Sequence, residues 1–470
     1  MTPPLRYPGP ASVIPVPNAL ALHGQRREEL RSTGQALALN LFLVYLFAMF
    51  SRLLEFVLTG YHITALLFLA AVPAAFLCGA WQKTSLRGPI KWLIAFAVWF
   101  AIAVPFSVWK GGSAGQFRGL ATTLISFVPL LGLPSRFRDV RKIYFVLGVS
   151  GVVFGIGSAI FGRLEGRFTV TREGTFSNTN DLAQFLMLVL PFVIFTIYEL
   201  RFKWPWAILV GLGLIPMVPT LLRTGSRSML VVACCMFVVA LWRAPAVMKF
   251  VMLIGALGLL VSSVILLPST VRDRYLTFFN PSNEAVLSQD DYEYQLSAVE
   301  STRARRQLLK DSIDYTLRKP LFGVGPGMFA VARGQDRLAR NELGQWHVGH
   351  NAYLQVSSEC GIPAAIFYIL ALGTALVYAH RADRYHKGLN NPVSRSIRTA
   401  GFTLFISILG VIVFGMFLSN AYAPQMLTLI ALSALLERIS REERERIQAA
   451  NTAPPGPPPL QKFSYSVLPR

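Results

Sequence analysis

Apolar runs long enough to cross a lipid bilayer return one after another between residues 36 and 437. A bilayer core of roughly 30 Å takes about 20 helical residues to span, and backbone groups in lipid must pair within their own segment, so such runs are helices. Hydrophobic residues make up 53% of the 470 positions and charged residues only 15%, a ratio that places most of these side chains against lipid. Spans are expected near 36–57, 63–81, 90–109, 119–133, 143–162, 182–198, 204–222, 227–242, 246–267, 352–378, 399–418 and 421–437. The expected fold class is therefore all-α: a polytopic transmembrane helical bundle of about 12 spans, with one large outer loop, 268–350, containing surface helices.

Three regions follow: a tail at 1–35, a membrane domain at 36–437 and a second tail at 438–470. The first begins with Pro3, Pro4, Pro8 and Pro10 and continues into the charged run Arg26–Arg31, unlike a cleavable signal peptide. The last passes from a charged helical stretch into a proline-rich end, Pro454–Pro459. Both tails are expected on the cytoplasmic side. Arg52 and Glu55 stand within the first span at a spacing that lets them pair.

The formal net charge of +21 invites a nucleic-acid reading, but its distribution argues against one. With the amino terminus inside, basic residues gather in the inner loops at Lys83–Lys91, Arg136–Lys142, Arg201–Lys203, Arg243–Lys249 and Arg381–Arg398, as the positive-inside rule requires. The expected partners of this charge are membrane lipids, with no nucleic acid. Cys78, Cys234, Cys235 and Cys360 fall in or beside spans without metal-site or disulfide spacing and read as packing residues.

Topology leaves some arginines out of place. Arg163, Arg167 and Arg172 fall in the outer loop before span six, and Arg223 and Arg227 in the outer turn before span eight. Arg303, Arg305 and Arg306 fall in the long loop. Any one of them can reach headgroups by snorkelling. Several converging on one face make a seat for phosphate or diphosphate, because a guanidinium binds such groups bidentately. Ser177 or Asn178 is placed to cap span six, in a polar stretch that includes Asn180, and Ser226 stands in the turn that opens span eight.

The long loop exceeds what a passive connection needs. A helix lying on the membrane surface is expected from about 294 to 318, followed by Lys319-Pro320 and a flexible glycine turn, Gly323–Gly327, which lacks the ending of a phosphate loop. His347 and His350 have no third partner at metal-ligand spacing, so no metal and no cofactor are expected. His350 is either satisfied structurally at the interface or acts as a general base toward a hydroxyl. Glu359, inside span ten, is expected to be paired or functional.

These same residues resemble the O-antigen ligase and O-antigen polymerase superfamily of bacterial envelope glycosyltransferases. The resemblance lies in Arg172–Asn180, with one fewer residue between Arg and Gly, in Thr224–Arg227, and in Arg305 standing 15 residues before Pro320-Leu321-Phe322-Gly323-Val324-Gly325-Pro326-Gly327. It continues in His350-Asn351 with the following Glu359-Cys360-Gly361. The ligase pattern usually has a second glycine where this chain has Ala364, which leaves ligase and polymerase both open.

The resemblance implies a membrane glycosyltransferase of the bacterial inner membrane, working on its periplasmic face, metal-independent and inverting. The donor implied is an undecaprenyl-diphosphate-linked glycan, and the acceptor a hydroxyl of lipid A core or of a growing polysaccharide. Its implied site has His350 as catalytic base and Arg227, Arg305 and Arg172 on the donor diphosphate. Asn178, Asn180, Ser226, Arg303, Asn351 and Glu359 support them. A lipid-linked sugar flippase is the rival class, and Arg52 with Glu55 is the mid-span pair that would serve it.

Overall fold

A computed structural model describes residues 19–52, 63–165, 167–170, 178–201, 203–276, 305–342 and 348–452. Most of them are helical. Among the described residues, eight helices are long and apolar enough to cross a membrane: Thr33–Ser51, Pro89–Phe106, Phe137–Phe161, Thr179–Leu200, Trp204–Arg223, Ala246–Ser263, Ala352–Tyr385 and Pro392–Phe414. The chain is a polytopic helical membrane protein.

The other four expected spans fall on helices that fall short by length, continuity or charge. Ile63–Leu77 has 15 residues and Arg227–Arg243 has 17. Lys110–Ile125 is separated from Phe127–Gly132 by a turn at Ser126. Pro424–Thr452 is apolar in its first half and charged in its second. The first helix runs Ala19–Ser51 and takes in the charged run of the expected tail. It stops at Ser51 because Arg52 turns to a positive φ of 50°. Glu55 lies outside the described residues.

The core is a sheath of helices around Ala352–Tyr385, which packs on Pro89–Ala103, Pro392–Phe414 and Pro424–Thr452. Phe137–Phe161 and Thr179–Leu200 form a second tight pair. Here Gly148 lets the two backbones approach, since a Cβ there would stand 2.6 Å from the Phe192 carbonyl oxygen. Small residues are how membrane helices gain packing contact where lipid is as apolar as the partner. Ala246–Leu266 stands outside this sheath with none of its span buried, which fits a helix ringed by lipid.

The two ends of the bundle differ. At one, Asp383 accepts from both Arg243 and Arg398, and Ser396 donates to Glu199. At the other lie the caps Asn178, Ser226 and Asn351. A two-stranded hairpin there, Arg163–Glu165 against Arg167–Thr169, pairs Leu164 with Phe168 and was not expected from sequence.

The described part of the long loop begins with the short helix Ser269–Leu276 and continues in two more, 305–318 and Phe329–Ala339, around a small core of Leu308, Tyr315, Val324, Met328, Phe329 and Ala332. Arg333 pairs with Asp311 at 2.7 Å, and the Tyr315 hydroxyl donates to Asp336 at 2.7 Å. Burial, and then that carboxylate, push the Tyr315 phenol above its ordinary range.

Candidate functional site

The caps are where sequence-predicted residues meet. Asn178 caps Thr179–Leu200 by accepting from the Asn180 amide at 3.0 Å. Ser226 caps Arg227–Arg243, taking the Met229 amide at 3.4 Å. The Ser226 hydroxyl donates in turn to the Asn180 side chain at 2.8 Å and stands 2.9 Å from the Ser228 hydroxyl. Two turns 46 residues apart are thereby tied together, and Arg227, half-buried, begins the helix that Ser226 caps.

The chain of polar groups continues down one helix face. Gln184 is one turn beyond Asn180, and its side-chain oxygen accepts from Asn420. Beside Asn420, the Ser419 hydroxyl accepts the Asn351 amide at 3.2 Å, and the Gln355 side chain accepts the Ala421 amide at 3.2 Å. Asn351 caps Ala352–Tyr385, accepting the Tyr353 and Leu354 amides at 3.0 Å each. Immediately before it, His350 is held at a φ of 53°. A left-handed non-glycine residue costs on the order of 1–3 kcal/mol, and such strain collects at functional sites.

The 305–318 helix reaches the same segment through Gly349, where a Cβ would stand 2.9 Å from the Ser312 hydroxyl. Arg305, half-buried, lies on that helix two turns before Ser312. So Asn178, Asn180, Ser226, Arg227, His350 and Asn351 share one end of the bundle, with the helix of Arg305 laid against it. Arg172, Arg303, Ser177 and His347 lie outside the described residues.

Glu359 serves elsewhere. Buried in Ala352–Tyr385, it accepts the amides of Gly327 at 3.0 Å and Phe329 at 3.4 Å, and the Tyr422 hydroxyl at 2.7 Å. The Gly325 and Val324 amides bond the carbonyls of Glu359 and Ser358 at 2.9 and 2.8 Å. These carbonyls are reachable because Gly361, at a φ of 86°, breaks the helix. A Cβ at Gly361 would collide with the Leu321 carbonyl oxygen, which instead receives the Trp99 indole N–H at 3.1 Å. The glycine run expected as a flexible turn is thus a clasp: its glycines stand at positive φ so that its backbone can lie against the broken helix.

Sequence reasoning missed Gln184, Asn420, Ser419 and Tyr422. Gln184 did carry a signal, being a polar residue well inside an apolar run. The others stand in the short segment 419–422, whose partners are distant in sequence.

Packed helices of membrane length define an integral membrane protein. Residues 212–369 match the family model for O-antigen ligase. That stretch contains Ser226, Arg227, Arg303, Arg305, His350, Asn351 and Glu359, so the match bears out the resemblance to the O-antigen ligase and polymerase superfamily. No curated protein matches the chain.

Proposed function

We propose that the protein is an O-antigen ligase-like glycosyltransferase that moves a glycan from undecaprenyl diphosphate to an acceptor hydroxyl on the periplasmic face of the inner membrane, with both termini cytoplasmic. The observation that carries this reading is a pair of polar ties on one helix: Ser226 bonds Asn180, and one turn on Gln184 bonds Asn420, next to the Ser419 that takes the Asn351 amide. It supports the reading because these ties fix the turn that precedes Arg227 and the segment that follows His350 to one helix.

In this mechanism His350 takes the proton of the acceptor hydroxyl as its oxygen attacks the anomeric carbon. The bond from that carbon to the diphosphate oxygen breaks with inversion. Undecaprenyl diphosphate leaves as an anion, and Arg227, Arg305 and Arg172 meet the charge as it develops. Preorganised cationic donors of this kind stabilise a transition state without reorganising during the reaction. The acceptor is lipid A core or a growing polysaccharide.

Purified protein in liposomes, given the lipid-linked donor and an acceptor, should transfer glycan in the presence of EDTA and without ATP. Flipping of the donor with no transfer product would overturn the enzyme reading in favour of a flippase. Ala364, standing where the ligase pattern usually has glycine, favours a polymerase as second reading. Deletion separates the two: capped single units accumulate without a polymerase, undelivered long chains without a ligase.

A further inference from the structure

The 305–318 helix has two faces of different fate. Leu308, Ser312 and Tyr315 are buried against the small core of the loop. Leu309, Ile313 and Leu317, spaced four apart, are 40%, 43% and 70% exposed, and Leu321 continues the stripe at 56%. Arg306, within the stripe, and Lys310, on its border, are both exposed and one turn apart, and Gln307, Asp314 and Arg318 lie on the flank beyond Lys310. Exposed apolar residues bordered by basic ones are the composition of a helix lying in a bilayer interface.

Contacts at Leu321 show where the stripe leads. Its carbonyl takes the indole N–H of Trp99, one turn before the end of the spanning helix Pro89–Ala103. The preceding Pro320 carbonyl takes the Ile362 amide at 2.7 Å. Ile362, Ile366 and Ile369 are 42%, 50% and 50% exposed along a membrane-spanning helix, so they face lipid. Phe322 stacks on Phe106 with ring centroids 4.1 Å apart, and Phe106 and Trp109 are themselves exposed, as aromatic residues at a membrane edge are. The exposed stripe of Leu309, Ile313, Leu317 and Leu321 therefore ends where the loop joins the lipid-facing helices, at Trp99 and Ile362.

We propose that the 305–318 helix docks on the bilayer leaflet at the His350 end. Leu309, Ile313, Leu317 and Leu321 enter the acyl boundary, and Arg306 and Lys310 lie among the phosphate headgroups. The consequence is that Arg305, on the same helix, is held at the depth where lipid phosphates lie. This proposal rests on the membrane fold and not on glycan transfer, and its test needs no glycan.

Spin labels at Leu309→Cys, Ile313→Cys and Leu317→Cys, with Gln307→Cys and Asp314→Cys as controls on the polar flank, would be read in phosphatidylethanolamine–phosphatidylglycerol nanodiscs. Cys78, Cys234 and Cys235 are changed to Ser, and the buried Cys360 is kept. Collisions with oxygen should exceed those with a water-soluble nickel chelate at the three stripe positions, and the ratio should reverse at the controls. Chelate-dominated collisions along the stripe would overturn the proposal. Low collision with both reagents, together with dipolar broadening between labels, would overturn it in favour of a second copy covering this face. Should labelled variants fail to fold, the unlabelled protein can be exposed to a carbene probe confined to the acyl phase. Insertion into residues 309–321 is expected, and none would overturn the proposal.

Discussion

The Asp383 end and the His350 end of the bundle handle polarity in opposite ways. At the first, charge is matched with charge: Asp383 holds Arg243 and Arg398, Glu199 holds Arg141 and Ser396, and Glu443 accepts from Arg446 and the Phe137 amide. At the second, the frame is neutral, made of the amides and hydroxyls of Asn180, Gln184, Ser226, Ser228, Ser419 and Asn420. Its buried carboxylate, Glu359, is directed at loop backbone and a tyrosine hydroxyl. Buried networks of satisfied neutral groups fix geometry. Paired ends fix stability.

The largest effect that this contrast predicts is at His350. His350→Ala should lower transfer by about 10²–10⁴-fold, the usual contribution of a positioned general base, while the protein still inserts and folds. Arg305→Ala should cost about 10²–10³-fold, the range for losing one donor to a developing anion, and should weaken donor binding more than His350→Ala does. Arg305→Lys should recover only part, since an ammonium cannot hold two phosphate oxygens as a planar fork does. Initial rates in proteoliposomes and donor binding by the same variants measure both. Normal rates in either alanine variant would remove that residue from the mechanism and dissolve the functional half of the comparison.

Gly361→Ala comes next. A Cβ has no room beside the Leu321 carbonyl, and the residue sits at a φ of 86° that other side chains resist. Either the helix straightens or the loop lifts, so the Gly327 and Phe329 amides should lose Glu359. Transfer and thermal stability should fall together, and hydrogen exchange at Val324, Gly325 and Gly327 should accelerate. Unchanged exchange there would show that the clasp tolerates the methyl group. Asp383→Ala should do the converse at the other end. Removing the carboxylate that two partly exposed arginines share should cost about 1–3 kcal/mol of stability, read as a lower unfolding midpoint. Turnover per folded molecule should be nearly unchanged.

How much of this was legible in the sequence follows the range of each interaction. Helices and their caps are local, and Asn178, Ser226 and Asn351 stand where cap chemistry puts them. The misplaced arginines could be picked out because topology is a property of charge along the chain. Gly361 was visible as part of a pattern, but its physical reason, a carbonyl 40 residues earlier, was not. Asn420 is unremarkable in a short connection until its partner, Gln184, arrives from 236 residues away. The four segments expected to cross the membrane on shorter or charged-ended helices show the limit of hydropathy: it measures solvent preference and says little about where a helix breaks. The expected span 119–133 is interrupted at Ser126, whose hydroxyl bonds the Thr123 carbonyl at 2.6 Å.

A last and smaller test turns on His386, in the connection after Tyr385 at the paired end. Its ring is fully buried, with Nδ1 2.8 Å from the Ser394 hydroxyl and Nε2 2.9 Å from the Ser440 carbonyl. Burial holds its pKa below the ordinary histidine value, outweighing the Ser440 carbonyl, which favours the charged ring, while Arg444 adds to the lowering. The unfolded chain therefore binds the His386 proton more readily than the folded one. Below the unfolded histidine pKa, the unfolded state gains that proton and stability falls; above it, both states are neutral and the term vanishes. His386→Asn should flatten the loss of thermal stability as pH drops from about 7 to about 5, the range in which histidine ordinarily titrates. At the His350 end the same substitution should leave the pH profile of transfer unmoved, because the two histidines are separated by the length of a spanning helix. A shift in that profile would mean that the two ends are coupled and not divided between binding and stability.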